Sequence, residues 1–429
     1  MLKINLQNTL EEVIGKTHGL SQKTLGASAK KYQSLVDLIF KSSKKNGYGF
    51  LNLPEDQKTL KAIQSFARQQ KKEGWKHVVV LGIGGSALGT IAVREALLAN
   101  DQSEPQLHIL DNIDPGFTGT FLAGLPVKKT LFIVISKSGT TTEPMVLYAL
   151  VKEILLKTVP KNYQKHLVFI TDPKEGLLRK IGKEEGIKMF DIPPNIGGRF
   201  SVLTNVGLLP CALAGVDIEG LLKGAKQMKT QLKKKKAIEN PALSLALLQW
   251  MFDQKKQKPM TVLMPYSTLL FRMGDWYRQL LSESIGKNER SGPTPINALG
   301  TTDQHSQLQL YSDGPNNKLL IFMRVLKHQV DPKLPPHLPG EMTYLNGKTM
   351  SQVIDAAYQG TAEALKKKKR PNLTLEIEQV DAEHLGALFM LFEFQVALLG
   401  FLYKVNAFDQ PGVEASKMIT KKLLMEKLP

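Results

Sequence analysis

Between Ser136 and Glu143 the chain reads SKSGTTTE, which gathers five hydroxyls, one lysine and one glycine just ahead of a segment with helical spacing. A phosphate group suits such a loop. Hydroxyls and backbone N–H groups donate to its oxygens, and the helix dipole favours its charge. Capping a helix needs one hydroxyl, not five. A second loop, Gly82-Ile83-Gly84-Gly85-Ser86, follows the apolar run HVVVL. Its glycines allow a ligand to approach the backbone closely, and Ser86 adds a donor. The plainer reading of that loop is a tight turn between a strand and a helix. Gly82, Gly84 and Ala87 also satisfy the relaxed dinucleotide spacing G-x-G-x-x-A, with Asp111 where a ribose-binding acid would stand. No Lys-Ser or Lys-Thr pair follows the last glycine, so this is not a Walker A loop.

Further along, RMGDWYRQLLSESIGK (Arg272 to Lys287) has helical spacing and places Gln279 and Glu283 on one face, four residues apart. A carboxylate shielded from water there can work as a general base with a raised pKa. On spacing alone it is an ordinary surface glutamate. Arg199 follows Gly197 and Gly198, where a fixed guanidinium can stabilise a developing oxyanion or simply hold a salt bridge. His305 sits in GTTDQHS, and no two of the eight histidines stand two to four residues apart. The sequence therefore writes no local zinc pair.

Elements able to position these residues alternate along the chain. His77 to Leu81, Leu107 to Leu110, Leu131 to Ile135 and Leu167 to Ile170 read as buried strands, with helical stretches such as Ile91 to Leu98 and Pro144 to Leu156 between them. That alternation predicts a parallel sheet with helices on both faces. After about Gly215 comes a long helical section, then strand-like runs at Thr261 to Met264 and Leu319 to Val325. Asn372 to Gln379 alternates like a strand with one exposed face. Ala382 to Val405 and Gly412 to Leu428 are helical in pattern. A second α/β unit follows, and two phosphate-suited loops at strand ends form a crevice of the kind that binds ligands in open sheets.

Composition narrows the class. At 429 residues, 42% hydrophobic and 22% charged, the chain can build two or three globular units. Cys211 is the sole cysteine, in the apolar run LLPCALAG, so it reads as a packed thiol in a reducing compartment. The N-terminal MLKINLQNTLEEV is unlike a secretory signal, and no 18 consecutive apolar residues occur. A net charge of +18 comes largely from lysine runs such as Lys233 to Lys236 and Lys366 to Lys369. Without a zinc-finger, RNP or arginine-rich pattern, this reads as a solvated basic surface that also draws in small anions.

GIGGS followed by SKSGTTTE resembles the sugar-isomerase (SIS) domain, in which the second loop holds the substrate phosphate. QLLSESIGK is similar to the signature of the phosphoglucose isomerase family, as are GGRFSVLTNVGLLP, DQHSQLQLY and FDQPGVEASK. Six motifs thus stand in the family order between Val78 and Lys417. One departure is Ser416, where many family members have glycine.

The resemblance implies an α/β architecture of two sugar-isomerase-type subdomains, each a mainly parallel sheet flanked by helices in an αβα sandwich. The expected boundaries are an N-terminal helical segment at 1–46, a larger subdomain at 47–214, a smaller one at 215–400 and a C-terminal helical segment at 401–429 that completes the site. It implies reversible isomerisation of glucose 6-phosphate to fructose 6-phosphate through a cis-enediol(ate), without metal or organic cofactor. Glu283 then moves the proton between C2 and C1, and Arg199 serves the transition state. His305 and Lys417 open the sugar ring. Gln279 contacts substrate and Gln410 the phosphate, alongside Gly85, Ser86, Ser136, Lys137, Ser138, Thr140 and Thr141. A cytoplasmic homodimer is expected, with His305 able to serve the partner's site, and with no membrane or specific nucleic-acid partner. Two rivals keep part of this pattern: a sugar-phosphate sensor, which needs neither Glu283 nor His305, and an NAD-dependent oxidoreductase, which leaves the hydroxyl loop unexplained.

Overall fold

A computed structural model describes residues 2–426. Its first strands are β1 (Leu2–Asn5), β2 (His77–Leu81), β3 (Gln106–Leu110), β4 (Thr130–Ile135), β5 (Leu167–Thr171) and β6 (Lys188–Asp191). Then follow β7 (Met260–Pro265), β8 (Thr294–Asn297), β9 (Lys318–Val325) and β10 (Asn372–Ile377). One sheet has the order β3-β2-β4-β5-β6 and is parallel throughout. The other has the order β1-β10-β9-β7-β8 and is parallel except for β1, which runs antiparallel to β10.

Strand alternation sends one set of side chains to each face of a sheet. In β2, Val79 and Leu81 pack outward with Leu147, Val151 and Leu155 of the Thr142–Thr158 helix. Val78 and Val80 turn the other way, into a core that also receives Leu263, Leu319 and Ile321 from the second sheet. The outer face of that sheet packs Val262, Leu320 and Phe322 against Tyr358 and Leu365. Both units are therefore covered on both faces, and they share one central core. At its centre runs the Ala382–Tyr403 helix, which is long and apolar enough to cross a membrane, although 94% of its most apolar window is buried within the protein.

Three strands carry no clear strand pattern in the sequence: β1, β6 and β8. The 1–46 segment, expected to be helical, contains the Gln22–Lys41 helix but begins with β1, which adds to the free edge of β10. Asn372 to Gln379, read as a strand with one exposed face, is instead covered on that face by the Met350–Lys367 helix, whose Tyr358 and Ala362 bond to Thr374 and Asn372. Asn372 and Thr374 are therefore buried, and Thr374 shares a 2.6 Å hydrogen bond with the Tyr358 hydroxyl. The Ala382–Tyr403 helix runs through position 400, where a boundary was expected. Of the expected Gly412 to Leu428 helix, Glu414–Glu426 is helical and residues 427 and 428 lie outside the described residues.

Candidate active site

The hydroxyl loop leaves β4 and enters the Thr142–Thr158 helix through Thr141, an N-cap whose side chain makes no capping bond. The helix start is thus open to an anion from outside. Ser136 Oγ accepts from Gly139 N–H at 3.1 Å and donates to Thr141 Oγ1 at 3.4 Å, while Thr140 Oγ1 donates to Ser138 Oγ at 3.0 Å. Gly139 has φ +67°, and a Cβ there would lie 2.4 Å from Leu178 N, so the turn requires glycine. Lys137 does not point among these hydroxyls. Its Nζ donates to the carbonyls of Pro194 (2.9 Å) and Ile196 (3.0 Å), tying the loop to the segment that precedes Arg199. Burial lowers the pKa of this ammonium, and Asp172 acts against that shift.

The first glycine loop is a tight turn between β2 and the Leu88–Leu98 helix, the plainer of its readings. A Cβ on Gly85 would meet Gly198 C at 2.2 Å and Arg199 N at 2.7 Å, and one on Gly84 would meet Gln279 Nε2 at 2.8 Å. The missing side chains therefore admit the Arg199 turn and the Gln279 side chain. Ser86 lies half-buried in the same turn, and its hydroxyl makes no hydrogen bond among the described residues.

Arg199 is the centre of the arrangement. Its Nε donates to Ser284 Oγ at 2.7 Å, and Nη2 to the carbonyls of Ala407 (2.6 Å) and Asp409 (2.9 Å). Nη1 donates to Gln410 Oε1 at 2.6 Å and to Glu283 Oε2 at 3.2 Å. The side chain is 1% exposed. Burial pulls the guanidinium below its ordinary pKa, and Glu283 opposes that shift. Glu283 stands in the last turn of the Phe271–Ile285 helix with its side chain 30% exposed, and its other oxygen accepts from Gln279 Nε2 at 2.9 Å. The i, i+4 spacing places these two side chains in contact, as the sequence indicates. Ser282, Glu283, Gly286, Lys287 and Gln410 to Val413 line a cleft of about 520 Å³.

Two members of this cluster escape the sequence reading. Ser284 holds Arg199, and Lys287 bridges the helix end to the Asp409 region. Lys287 Nζ donates to Glu283 O at 2.6 Å and to Asp409 O, and pairs with Asp409 Oδ1 at 3.0 Å. Burial lowers its pKa, and the hydrogen bond to Asp409 works against that. The four-residue step from Glu283 was the available signal for Lys287. Gln410, expected on the phosphate, lies beside Glu283 on Arg199.

His305 and Lys417 are not brought to this cleft. His305 is exposed, and its imidazole makes no hydrogen bond among the described residues. Lys417 is exposed on the Glu414–Glu426 helix and pairs with Glu414 at 2.8 Å. Among the described residues no group of three or more His, Cys, Asp or Glu could hold a metal ion.

Residues 53–428 match the profile of the phosphoglucose isomerase family. The chain is 41% identical, over a 441-position alignment, to the glucose-6-phosphate isomerase of Carboxydothermus hydrogenoformans, covering 99% of this chain and 94% of that one. Its fold matches the crystal structure of a hypothetical protein from Thermus thermophilus with a TM-score of 0.88 at 34% identity, over 99% of this chain and 100% of the other. The crystal structure of a glucose-6-phosphate isomerase from Chlamydia trachomatis matches with a TM-score of 0.84 at 22% identity, over 96% and 88% of the two chains, a likeness of fold.

Proposed function

The chain belongs to the phosphoglucose isomerase family, and from that premise we propose that it interconverts glucose 6-phosphate and fructose 6-phosphate with Glu283 as the proton-transfer base. One observation carries the reading. The Glu283 carboxylate lines the cleft while Gln279 holds one of its oxygens and Arg199 the other.

In the forward direction Glu283 takes the proton from C2 of the open-chain aldose. The C2–H electron pair becomes the C1=C2 bond, and negative charge passes to the C1 oxygen. The C2 hydroxyl proton then passes to the C1 oxygen, and as the C2 carbonyl forms the C1=C2 electron pair takes the proton back from the Glu283 carboxyl at C1. Ser284, Ala407, Asp409, Gln410 and Glu283 take all five N–H groups of Arg199, so its fixed positive charge, rather than a spare donor, favours the developing oxyanion without reorganising. The substrate phosphate sits on the hydroxyls of Ser136, Ser138, Thr140 and Thr141 and on the uncapped helix start, with Gly85 and Ser86 beside it. The net charge of +18 helps to draw in this dianion.

Ring opening falls to His305 and Lys417, and here the chain acts as a homodimer. Asn297, at the exit of β8, bonds to Phe271 O in the first turn of the Phe271–Ile285 helix. Glu283 lies near the opposite end of that 15-residue helix, about 18 Å away at 1.5 Å per residue. His305 belongs to the loop after β8, where Gly300 N–H bonds to Pro265 O and Gln304 Nε2 to Ala357 O. It is therefore better placed to serve a partner's Glu283 than its own. Exposed Val330 (79%) and Tyr344 (74%), with Met418, Ile419 and Met425 on the last helix, offer apolar surface for the pairing. The reading includes a cytoplasmic location and no added cofactor.

Purified, metal-free protein mixed with fructose 6-phosphate should form glucose 6-phosphate, with solvent deuterium appearing at C2 of the product. Binding without turnover would make the protein a sensor instead.

A further inference from the structure

At one end of the second sheet, the starts of its three inner strands, which run parallel, bring cations together. Lys258 precedes β7, Lys318 opens β9 and Arg370 precedes β10. Lys258 is 2% exposed and Lys318 6% exposed, yet neither meets a carboxylate among the described residues. Lys258 Nζ donates to the backbone O (2.7 Å) and Oδ1 (2.6 Å) of Asn316, and Lys318 Nζ to Asn317 Oδ1 (2.6 Å) and Pro315 O (3.3 Å). Arg370 bonds through Nε to Ser312 O at 2.9 Å, but its Nη1 is buried with no partner among the described residues. Asn316 also donates to His18 Nδ1 at 3.2 Å and to Lys369 O at 3.1 Å, drawing a histidine to the same end of the sheet.

Burying several cations against neutral acceptors alone is costly. Burial, followed by Arg370, Lys256 and Lys318, brings the Lys258 ammonium down to about 8. The carboxylate that feels Arg370, Asp313, is already held by Lys368 and Gln309. Among the described residues the group thus lacks a counter-charge and has one sealed donor unused. It shares no residue with the Glu283 cleft.

We propose that this end of the sheet is a second anion site that takes a phosphate dianion, free or as a monoester smaller than a hexose phosphate, against Arg370 Nη1 and the ammonium groups of Lys258 and Lys318, whose burial leaves no room for a six-carbon sugar. Phosphate supplies acceptors that match a guanidinium and two charges that match buried lysines.

Equilibrium dialysis with labelled inorganic phosphate tests this, with saturating fructose 6-phosphate present to occupy the hydroxyl loop. The wild-type chain should retain one phosphate that the sugar phosphate does not displace. Arg370→Gln or Lys258→Met should weaken it by about tenfold or more, as expected for a lost charge-assisted bond, while turnover stays within about twofold. Repeating the dialysis with glycerol 2-phosphate separates the sources. Retention there assigns a monoester, and retention of inorganic phosphate alone assigns the free ion. No undisplaced phosphate in the wild type, or one bound equally well by both variants, would overturn the proposal.

Discussion

The Arg199 cleft and the surfaces carrying His305 and Lys417 are built to opposite standards. In the cleft a guanidinium that is 1% exposed is held by five residues drawn from the Phe271–Ile285 helix and from the 407–410 segment. His305, by contrast, faces solvent without a partner among the described residues, and Lys417 holds only its neighbour Glu414 on an exposed helix. Fixed dipoles help where charge develops during reaction, because they need not reorganise. Ring opening is a separate proton transfer, and its groups can be delivered by another chain. On this account a single subunit carries the proton-transfer half of the chemistry complete and the ring-opening half unassembled.

The sharpest way to break that contrast is subunit mixing. Glu283→Gln and His305→Ala chains should each be nearly inactive on the cyclic sugar. Co-expressed at equal amounts they should recover about a quarter of wild-type activity, because half the dimers are mixed and each of those has one intact site. No recovery would place His305 in its own chain's site. Next in size is Arg199→Lys, which loses the planar fork and cannot reach all its acceptors. It should lower kcat by about 10²- to 10³-fold in steady-state assays. A loss below about threefold would mean that the buried network serves only stability.

A smaller effect lies within the core. Glu393, on the Ala382–Tyr403 helix, is as buried as Arg199, but neither carboxyl oxygen has a hydrogen-bond partner among the described residues. Burial raises its pKa well above 4.5, so the folded chain holds a proton that the unfolded chain releases above that pH. Its contribution is therefore fully present below pH 4.5 and is lost as pH rises toward the folded value. Glu393→Gln should flatten the fall in Tm above pH 5 and stabilise the chain by about 1–3 kcal/mol at pH 8. An unchanged pH profile in thermal melts would assign the slope to other groups.

The sequence made the parallel strands legible because β2, β4 and β5 are unbroken apolar runs buried on both faces. It hid β1, β6 and β8, each four residues long and at a sheet edge, where one neighbour and partial exposure impose little pattern. β8 even contains Pro295, which an edge strand tolerates. The Gln279–Glu283 pair was legible because helical spacing alone joins it. The setting of Arg199 was not, since its acceptors lie up to 211 residues away and two of the five are backbone carbonyls that any residue carries. For the same reason the sequence did not show that Gly85 of GIGGS makes room for the backbone of Arg199.

In this mechanism Glu283 moves the proton. The most direct test is kcat for fructose 6-phosphate in Glu283→Gln, with the thermal unfolding midpoint measured on the same sample. Loss of a positioned general base predicts a fall of about 10²- to 10⁴-fold with the midpoint little changed. Turnover near the wild-type rate in a folded Glu283→Gln protein would contradict the account.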